Sequence, residues 1–128
     1  MKIEHICIYT VNIEKMREFY VTYFGFTSNE KYTNNKTGWS NYFLSHSESD
    51  ARLELMSHND MMGQEKERLS SGFVHLAFSL GSKEAVNETT ARLKADGYTV
   101  LSGPRTTGDG YYESAILDPE NNMVELTI

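Results

Sequence analysis

The feature that most constrains this chain is an internal repeat, because its two halves carry the same order of predicted elements. In each half, an alternating apolar strand precedes a helix with apolar residues at helical spacing, and three strand-like runs follow. A capping residue, Asn12 or Ser82, precedes each helix, and a glycine, Gly25 or Gly97, follows it. Two copies of such a long unit indicate two like modules rather than a solenoid, whose repeats are shorter and more numerous.

The repeat predicts an α+β fold made of two βαβββ modules. Module 1 covers about residues 1–58, module 2 covers about residues 72–128, and the polar segment 59–71 connects them. The 128 residues suffice for a single domain that contains both modules. Within module 1, the run Phe26–Tyr32 is predicted as one strand. Within module 2, the glycine-containing segment 102–113 is predicted as a loop, either a hairpin connection or a lid.

Four potential metal ligands occupy matched positions in the two halves. His5 precedes Glu54 by 49 positions, and His75 precedes Glu125 by 50 positions. Because strand side chains alternate between faces, each of the four lies opposite the strongly apolar face of its strand. A single His or Glu in a strand is usually a structural or solvated residue. The matched set of two imidazoles and two carboxylates instead predicts a site for one divalent metal.

Composition and charge restrict the possible partners. Twelve Lys and Arg residues against 18 Asp and Glu residues give a net charge of −6, which argues against nucleic acid and anionic membranes. No stretch approaches the roughly 18 apolar residues of a membrane span. The single cysteine, Cys7, excludes an intrachain disulfide, and the first residues lack the apolar run of a signal peptide. We therefore expect a cytoplasmic protein that binds a small molecule.

Three stretches of the chain resemble the vicinal oxygen chelate superfamily: IEHICIYTVNIEKMREFY, FVHLAFSL and LDPENNMVEL. That superfamily includes glyoxalase I, bleomycin-resistance proteins, fosfomycin-resistance thiol transferases, methylmalonyl-CoA epimerases and extradiol dioxygenases. The resemblance covers the whole chain and implies paired modules whose curved mixed sheets surround a metal-binding cavity. It also implies a homodimer, since members commonly pair modules from two chains.

The order of the predicted ligands distinguishes among members of the superfamily. Glyoxalase I has the order His, Glu, His, Glu, which this sequence matches at every position. The thiol transferases and dioxygenases lack a ligand at the second position, and the epimerases tend to have Gln there. The resemblance thus implies a lactoylglutathione-lyase-like enzyme that converts the hemithioacetal of a thiol and methylglyoxal into a 2-hydroxyacyl thioester. An epimerase, a thiol transferase and a non-catalytic drug-binding or metabolite-binding resistance protein are the alternatives.

The same resemblance suggests roles for individual residues. One divalent metal, Ni, Zn, Co or Mn, would act as a Lewis acid. Glu125 is the first choice for the catalytic base, and Glu54 is its partner on the opposite side. Tyr9 stands where glyoxalase I typically has an Arg that holds glutathione, so the identity of the thiol is open. Asn59 and Arg105 are further candidates for substrate binding, Asn59 by its place after the first Glu strand and Arg105 as a cation for an anionic group.

Overall fold

The structure is a computed structural model that describes residues 1–66, 69 and 71–128. The chain divides into two units, Met1–Gln64 and Glu65–Ile128. The predicted connector includes residues 67, 68 and 70, which lie outside the described residues. The module boundaries given above stay a prediction. No helix in the described part of the chain is long and apolar enough to cross a membrane.

The first unit is a mixed sheet with one long helix. The strand order is β1-β5-β4-β2, with β3 also paired to β4. Strand β1 runs parallel to β5, and the other pairs are antiparallel. The elements are β1 (His5–Tyr9), α1 (Ile13–Phe24), β2 (Thr27–Ser28), β3 (Tyr32–Asn34), β4 (Trp39–Ser45) and β5 (Arg52–His58).

The prediction of a single strand over Phe26–Tyr32 was wrong, because β2 and β3 pair with separate stretches of β4. Asn29 lies between them and bonds to the backbone of Phe43 in two ways. Its N–H donates to the Phe43 carbonyl at 3.2 Å, and its side-chain oxygen accepts from the Phe43 N–H at 2.8 Å. The side chain of Asn29 thus replaces a strand carbonyl at this point, which interrupts the regular ladder.

Helix α1 forms as the sequence predicts. The Asn12 side chain accepts a hydrogen bond from the Lys15 N–H at 3.0 Å, and Gly25 ends the helix in the left-handed conformation with φ of 69°. The helix buries its apolar face against one face of the sheet. The buried residues are Ile13, Met16, Phe19, Tyr20 and Phe24 on the helix and Tyr42, Leu44, Leu53 and Leu55 on β4 and β5. The opposite face of the sheet carries His5 and Glu54.

The second unit repeats this plan with four strands. The order is β6-β9-β8-β7, with β6 parallel to β9 and the other pairs antiparallel. The elements are β6 (His75–Ser79), α2 (Lys83–Ala95), β7 (Val100–Thr106), β8 (Tyr112–Leu117) and β9 (Met123–Thr127). The predicted α+β class with mixed sheets is confirmed.

The first part of the predicted loop 102–113 was wrong, because residues 102–106 belong to β7 and pair with β8. The ladder between them shifts register between Ser102 and Arg105, and Gly103 lies within that shift. Gly103 has φ of +79°, and a Cβ there would lie 2.5 Å from the carbonyl oxygen of Glu113. Only glycine fits so close an approach, so this glycine allows an irregular strand where the sequence suggested a loop.

Helix α2 is capped by Ser82, whose hydroxyl accepts from the Ala85 N–H at 3.1 Å. Val86, Thr90 and Leu93 are buried against the sheet. The Thr90 hydroxyl donates to its own helix and accepts from the buried Ser114 hydroxyl at 2.6 Å, so both polar side chains are satisfied. The helix therefore covers one face of the sheet, and the other face carries His75 and Glu125.

Both His-bearing strands, β1 and β6, are edge strands. Near them several apolar side chains remain exposed, including Ile6 on β1 and Phe73 and Val74 just before β6. Helix α1 packs mainly on the inner strands β4 and β5, so the apolar face of β1 is covered only in part.

Candidate metal centre

The two units place their His and Glu in the same relative register. In the first unit, His5 is paired with Arg52, and the neighbouring position on the same face pairs Cys7 with Glu54. In the second unit, His75 is paired with Met123, and Ala77 is paired with Glu125. In both units the glutamate is therefore the diagonal neighbour of the histidine on the adjacent parallel strand. Diagonal neighbours on one sheet face are close enough for long side chains to meet.

The side chains of each pair do meet. His5 Nε2 lies 3.5 Å from Glu54 Oε2, and His75 Nε2 lies 3.6 Å from Glu125 Oε2. These separations are long for a direct hydrogen bond. Two ligands bound at about 2.1 Å to one cation lie roughly 3 Å apart when they subtend a right angle and further apart at wider angles. Each pair therefore has a spacing at which both atoms can bind the same ion.

Glu4 completes the surroundings of His5. Its carboxylate contacts His5 Nδ1 and the Arg52 guanidinium. The His5 contact and then the Arg52 contact hold the pKa of Glu4 below its usual range. A carboxylate on Nδ1 keeps the proton on that nitrogen and leaves Nε2 with its lone pair on the side of Glu54. This is the arrangement commonly found for histidines that bind metals.

Glu54 is the more enclosed of the two glutamates. Its side chain is 11% exposed, against 22% for Glu125. The Asn41 side-chain amide donates to Glu54 Oε1 at 2.7 Å. Desolvation, followed by the charge of Glu54 and a hydrogen bond to it, raises the pKa of the Cys7 thiol to about 11. Cys7 is thus a neutral thiol at physiological pH.

The substrate candidate Arg105 lies in the second unit on β7, in register with Glu113 on β8. Glu113 is also in register with Thr127, two positions beyond Glu125 on β9. Arg105 and Glu113 therefore lie on the same sheet face as Glu125, although Arg105 belongs to a strand and not to the predicted lid. The exposed guanidinium of Arg105 is a cation that can contact an anionic group on this face.

The substrate candidates Tyr9 and Asn59 lie at the end of the first sheet beyond Glu54. The Tyr9 ring is exposed, and its centroid is 5.5 Å from that of Trp39. Trp39 in turn contacts the His58 ring at 4.8 Å. Asn59 follows β5 directly, and its N–H donates to the carbonyl of Gly38 at 3.2 Å. This end of the face is a row of aromatic rings, so it suits an apolar group better than a carboxylate.

Among the described residues there is no group of three or more His, Cys, Asp or Glu side chains that could hold a metal. Each unit contributes one imidazole and one carboxylate, which is half of the predicted set. The donor types fit a divalent transition metal, because neutral imidazole and carboxylate are ligands that Ni²⁺, Co²⁺, Mn²⁺ and Zn²⁺ share. The joint role of His5, Glu54, His75 and Glu125 remains a prediction.

Sequence reasoning did not identify Asn41, Glu4 or Arg52 as parts of this site. The position of Glu4 directly before His5 was visible, but nothing in the sequence assigned its carboxylate to Nδ1. Asn41 is far from Glu54 in sequence and meets it only through the antiparallel register of β4 and β5, which pairs Phe43 with Glu54. Strand geometry puts Asn41 on the face opposite Tyr42 and Leu44, and this was the signal that could have placed Asn41 here.

The fold and the paired residues define a class of protein: α+β, with mixed sheets of the βαβββ type and a His–Glu pair on the uncovered face of each sheet. The chain belongs to the Glyoxalase/Bleomycin resistance protein/Dioxygenase superfamily, whose family model matches residues 2–126. The resemblance seen in the sequence is thereby confirmed.

Similar proteins of known sequence or structure agree with this assignment. The uncharacterized protein YqjT of Bacillus subtilis is 29% identical over 125 residues, which cover 95% of this chain and 94% of that protein. A glyoxylase/bleomycin resistance protein/dioxygenase domain from Frankia has a TM-score of 0.84 at 15% identity, with coverage of 100% and 97%. The trypanothione-dependent glyoxalase I of Leishmania major has a TM-score of 0.79 at 17% identity, with coverage of 99% and 86%. At these identities the structural matches establish the fold alone.

Proposed function

We propose that the protein is a metal-dependent, glyoxalase-I-like isomerase that acts on the hemithioacetal of a thiol and a 2-oxoaldehyde such as methylglyoxal. The observation that supports this most is the matched pair of diagonal His–Glu contacts, at 3.5 Å and 3.6 Å, on corresponding strands of the two units. An epimerase or thiol transferase with a metal but without a second-position carboxylate would not require Glu54.

One divalent metal, Ni, Zn, Co or Mn, would be held by His5, Glu54, His75 and Glu125. When bound, it would supply Lewis-acid stabilisation of negative charge on the substrate oxygens. Glu4 would keep the His5 proton on Nδ1, so that Nε2 is available as a ligand. These four ligands would leave positions on the ion open for substrate or water.

Glu125 would serve as the base. Its carboxylate would remove the proton from the carbon that bears the hydroxyl and the sulfur, which gives an enediolate of the substrate. The same proton would return to the neighbouring carbon while the hydroxyl proton moves to the other oxygen, giving the 2-hydroxyacyl thioester. The reaction is an isomerisation that needs no oxidant or reductant. The greater exposure of Glu125 supports this choice, because a base must reach the substrate and return.

The substrate is a small-molecule thiol adduct, and glutathione is one of several possible thiols. Tyr9 and Trp39 provide aromatic surface where glyoxalase I typically has an arginine, which favours a thiol with an apolar group at that end. Arg105 would bind an anionic group on the second sheet, and Asn59 would donate or accept a hydrogen bond. The trypanothione-dependent enzyme of Leishmania major shares this fold, and its name indicates a thiol other than glutathione.

We also propose a homodimer located in the cytoplasm. The support for the dimer is that β1 and β6 are edge strands with exposed apolar residues beside them, among them Ile6 and Val74. Exposed edges and apolar patches are usually covered by a partner. Sedimentation of the purified protein at several concentrations tests this. A monomer at every concentration would contradict it.

Metal analysis and thioester formation test the proposed reaction. The protein is stripped, loaded with Ni²⁺ or Zn²⁺, and assayed with methylglyoxal and a series of low-molecular-weight thiols. We expect stoichiometric metal, and a kcat for Glu125→Gln lower by roughly 10²–10⁴-fold, as for loss of a general base. The control Glu88→Gln removes the same charge from the exposed surface of α2 and should leave kcat unchanged. A wild-type protein that binds no metal after loading would disprove the proposal.

A non-catalytic binder of flat aromatic molecules is the second candidate, and the exposed Tyr9 ring beside the half-buried Trp39 favours it. Trp39 is the only tryptophan of the chain, so its fluorescence reports on ligands that stack at this end of the sheet. Tight quenching by an aromatic drug, unaffected by Glu125→Gln and by removal of metal, would favour the binder over the enzyme.

A further inference from the structure

The two units differ at the position diagonal to each glutamate on the antiparallel neighbouring strand, which is β4 in the first unit and β8 in the second. In the first unit, Asn41 pairs with Met56, two residues beyond Glu54. In the second unit, Glu113 pairs with Thr127, two residues beyond Glu125. Asn41 and Glu113 are therefore structurally equivalent, but one has an amide and the other a carboxylate.

In the first unit the amide holds the glutamate in place. Asn41 Nδ2 donates to Glu54 Oε1 at 2.7 Å, in a partly buried position. An ionised carboxylate only accepts hydrogen bonds, so this oxygen is occupied by the amide and the other, Oε2, is directed at His5 Nε2. A charge-assisted hydrogen bond of this length fixes the rotation of the carboxylate.

In the second unit the equivalent contact cannot form between two ionised groups. A carboxylate at Glu113 has no proton to donate to Glu125. Within the part of the chain that the structure describes, the Glu125 carboxylate lies 3.6 Å from His75 Nε2 and has no hydrogen-bond donor. Glu125 therefore retains freedom of movement that Glu54 lacks.

We infer that Asn41 is a positioning residue that fixes Glu54 as a permanent ligand, while Glu113 leaves Glu125 free to carry the proton. This inference rests on the proposed function. It adds a physical reason why Glu54 would act as a ligand and Glu125 as the base, although their surroundings are otherwise matched. It predicts that a change at Asn41 acts on metal affinity, and that a change at Glu113 acts on turnover.

The first experiment measures Zn²⁺ binding by calorimetry for wild type, Asn41→Ala and Asn41→Leu, where the leucine preserves side-chain bulk. Affinity should fall by ~10–100-fold, as is typical for loss of a group that orients a ligand. Asn41→Gln retains an amide donor and should recover part of the loss. The control Ser40→Ala lies on the same strand as Asn41 and removes the hydrogen bond from Ser40 to Thr33. It should leave Zn²⁺ affinity unchanged.

The second experiment places an amide beside the other glutamate with Glu113→Asn. If freedom of Glu125 matters, kcat on the best hemithioacetal should fall by ~10-fold or more without loss of Zn²⁺ affinity, because the new donor restrains the base. An unchanged kcat would overturn the role assigned to Glu113.

The outcomes separate the inference from the proposed function. Wild-type protein that fails to bind Zn²⁺ would overturn both. Zn²⁺ binding by wild type with equally tight binding by both Asn41→Ala and Asn41→Leu would overturn the role of Asn41 alone. A loss of metal-free stability in the Asn41 variants without any loss of Zn²⁺ affinity would also overturn it, because it would assign Asn41 a merely structural role.

Discussion

The substitution Glu54→Gln tests two effects of the Glu54 charge separately. One is its effect on the unfolding free energy of the metal-free protein, and the other is its contribution to metal binding. Glu54 is buried, and Asn41 donates to one of its oxygens at 2.7 Å. Glutamine has the same shape and retains a carbonyl oxygen that can accept this hydrogen bond. Removing the charge relieves desolvation but also weakens a charge-assisted hydrogen bond, and these effects oppose each other. We therefore expect the unfolding free energy of the metal-free protein to change by less than about 1 kcal/mol.

The loaded protein should respond differently. A metal at about 1,000 times its Kd stabilises the folded state by about 4.1 kcal/mol. If a neutral amide at position 54 weakens binding by about 100-fold, the same metal concentration is about 10 times the new Kd, and the stabilisation falls to about 1.4 kcal/mol. We therefore expect the unfolding free energies of wild type and Glu54→Gln to differ by about 2.7 kcal/mol when metal is present, and this difference should be absent without metal.

Urea denaturation followed by Trp39 fluorescence measures this difference, because Trp39 and Glu54 lie in the same unit. Each variant is unfolded with a chelator and with excess Ni²⁺. Glu18→Gln, which neutralises an exposed carboxylate on α1, is the matched control and should gain as much stability from Ni²⁺ as wild type does. Equal stabilisation of Glu54→Gln and wild type by Ni²⁺ would refute the assignment of Glu54 as a ligand. A large loss in the metal-free protein would show that Glu54 is instead required by the fold.

Three further predictions concern stability. Lys31 first, and then a tyrosine hydroxyl, hold the pKa of Glu14 below its usual range, so its folded-state pKa is below that of the unfolded chain. The stabilisation by Glu14 should therefore be present at neutral pH and disappear as the pH falls through the folded-state pKa. In urea unfolding, Glu14→Gln should be less stable than wild type at neutral pH and equal to wild type in strong acid. Leu55→Ala opens a cavity at a fully buried position and should cost about 2–5 kcal/mol in the same assay; a smaller loss would mean that the core collapses around it. Gly103→Ala should lower the thermal midpoint through a clash with the backbone of β8 and a strained φ, whereas Gly108→Ala, with no atom within 4 Å of its added Cβ, should not; equal midpoints would contradict the clash.

The repeat in the sequence predicted most of the architecture, for physical reasons that act locally. Alternation of apolar residues determines a strand face, and Asn12, Ser82 and Gly25 determine where helices begin and end. These signals depend on neighbours within a few positions. The α+β fold and the superfamily could therefore be predicted, and the faces of His5 and Glu54 follow from the same alternation.

The parts that could not be predicted depend on register between distant strands. The contact of Asn41 with Glu54 requires the pairing of β4 with β5, which no local pattern specifies. The assignment of Arg105 to a strand depends on the close approach at Gly103, where the glycine and proline suggested a loop. A close backbone approach is a tertiary property. For this reason Gly103, which in the sequence indicates a loop, lies within a strand.

The comparison of the two units also indicates where specificity should reside. The diagonal His–Glu relationship is the same in both sheets, but the surrounding positions differ. Cys7 beside Glu54 corresponds to Ala77 beside Glu125. Positions that must bind the ion are constrained by its coordination geometry, whereas their neighbours are constrained only by packing and by the substrate. Under the proposed function, we therefore expect substitutions at these divergent neighbours to change substrate preference more than metal affinity.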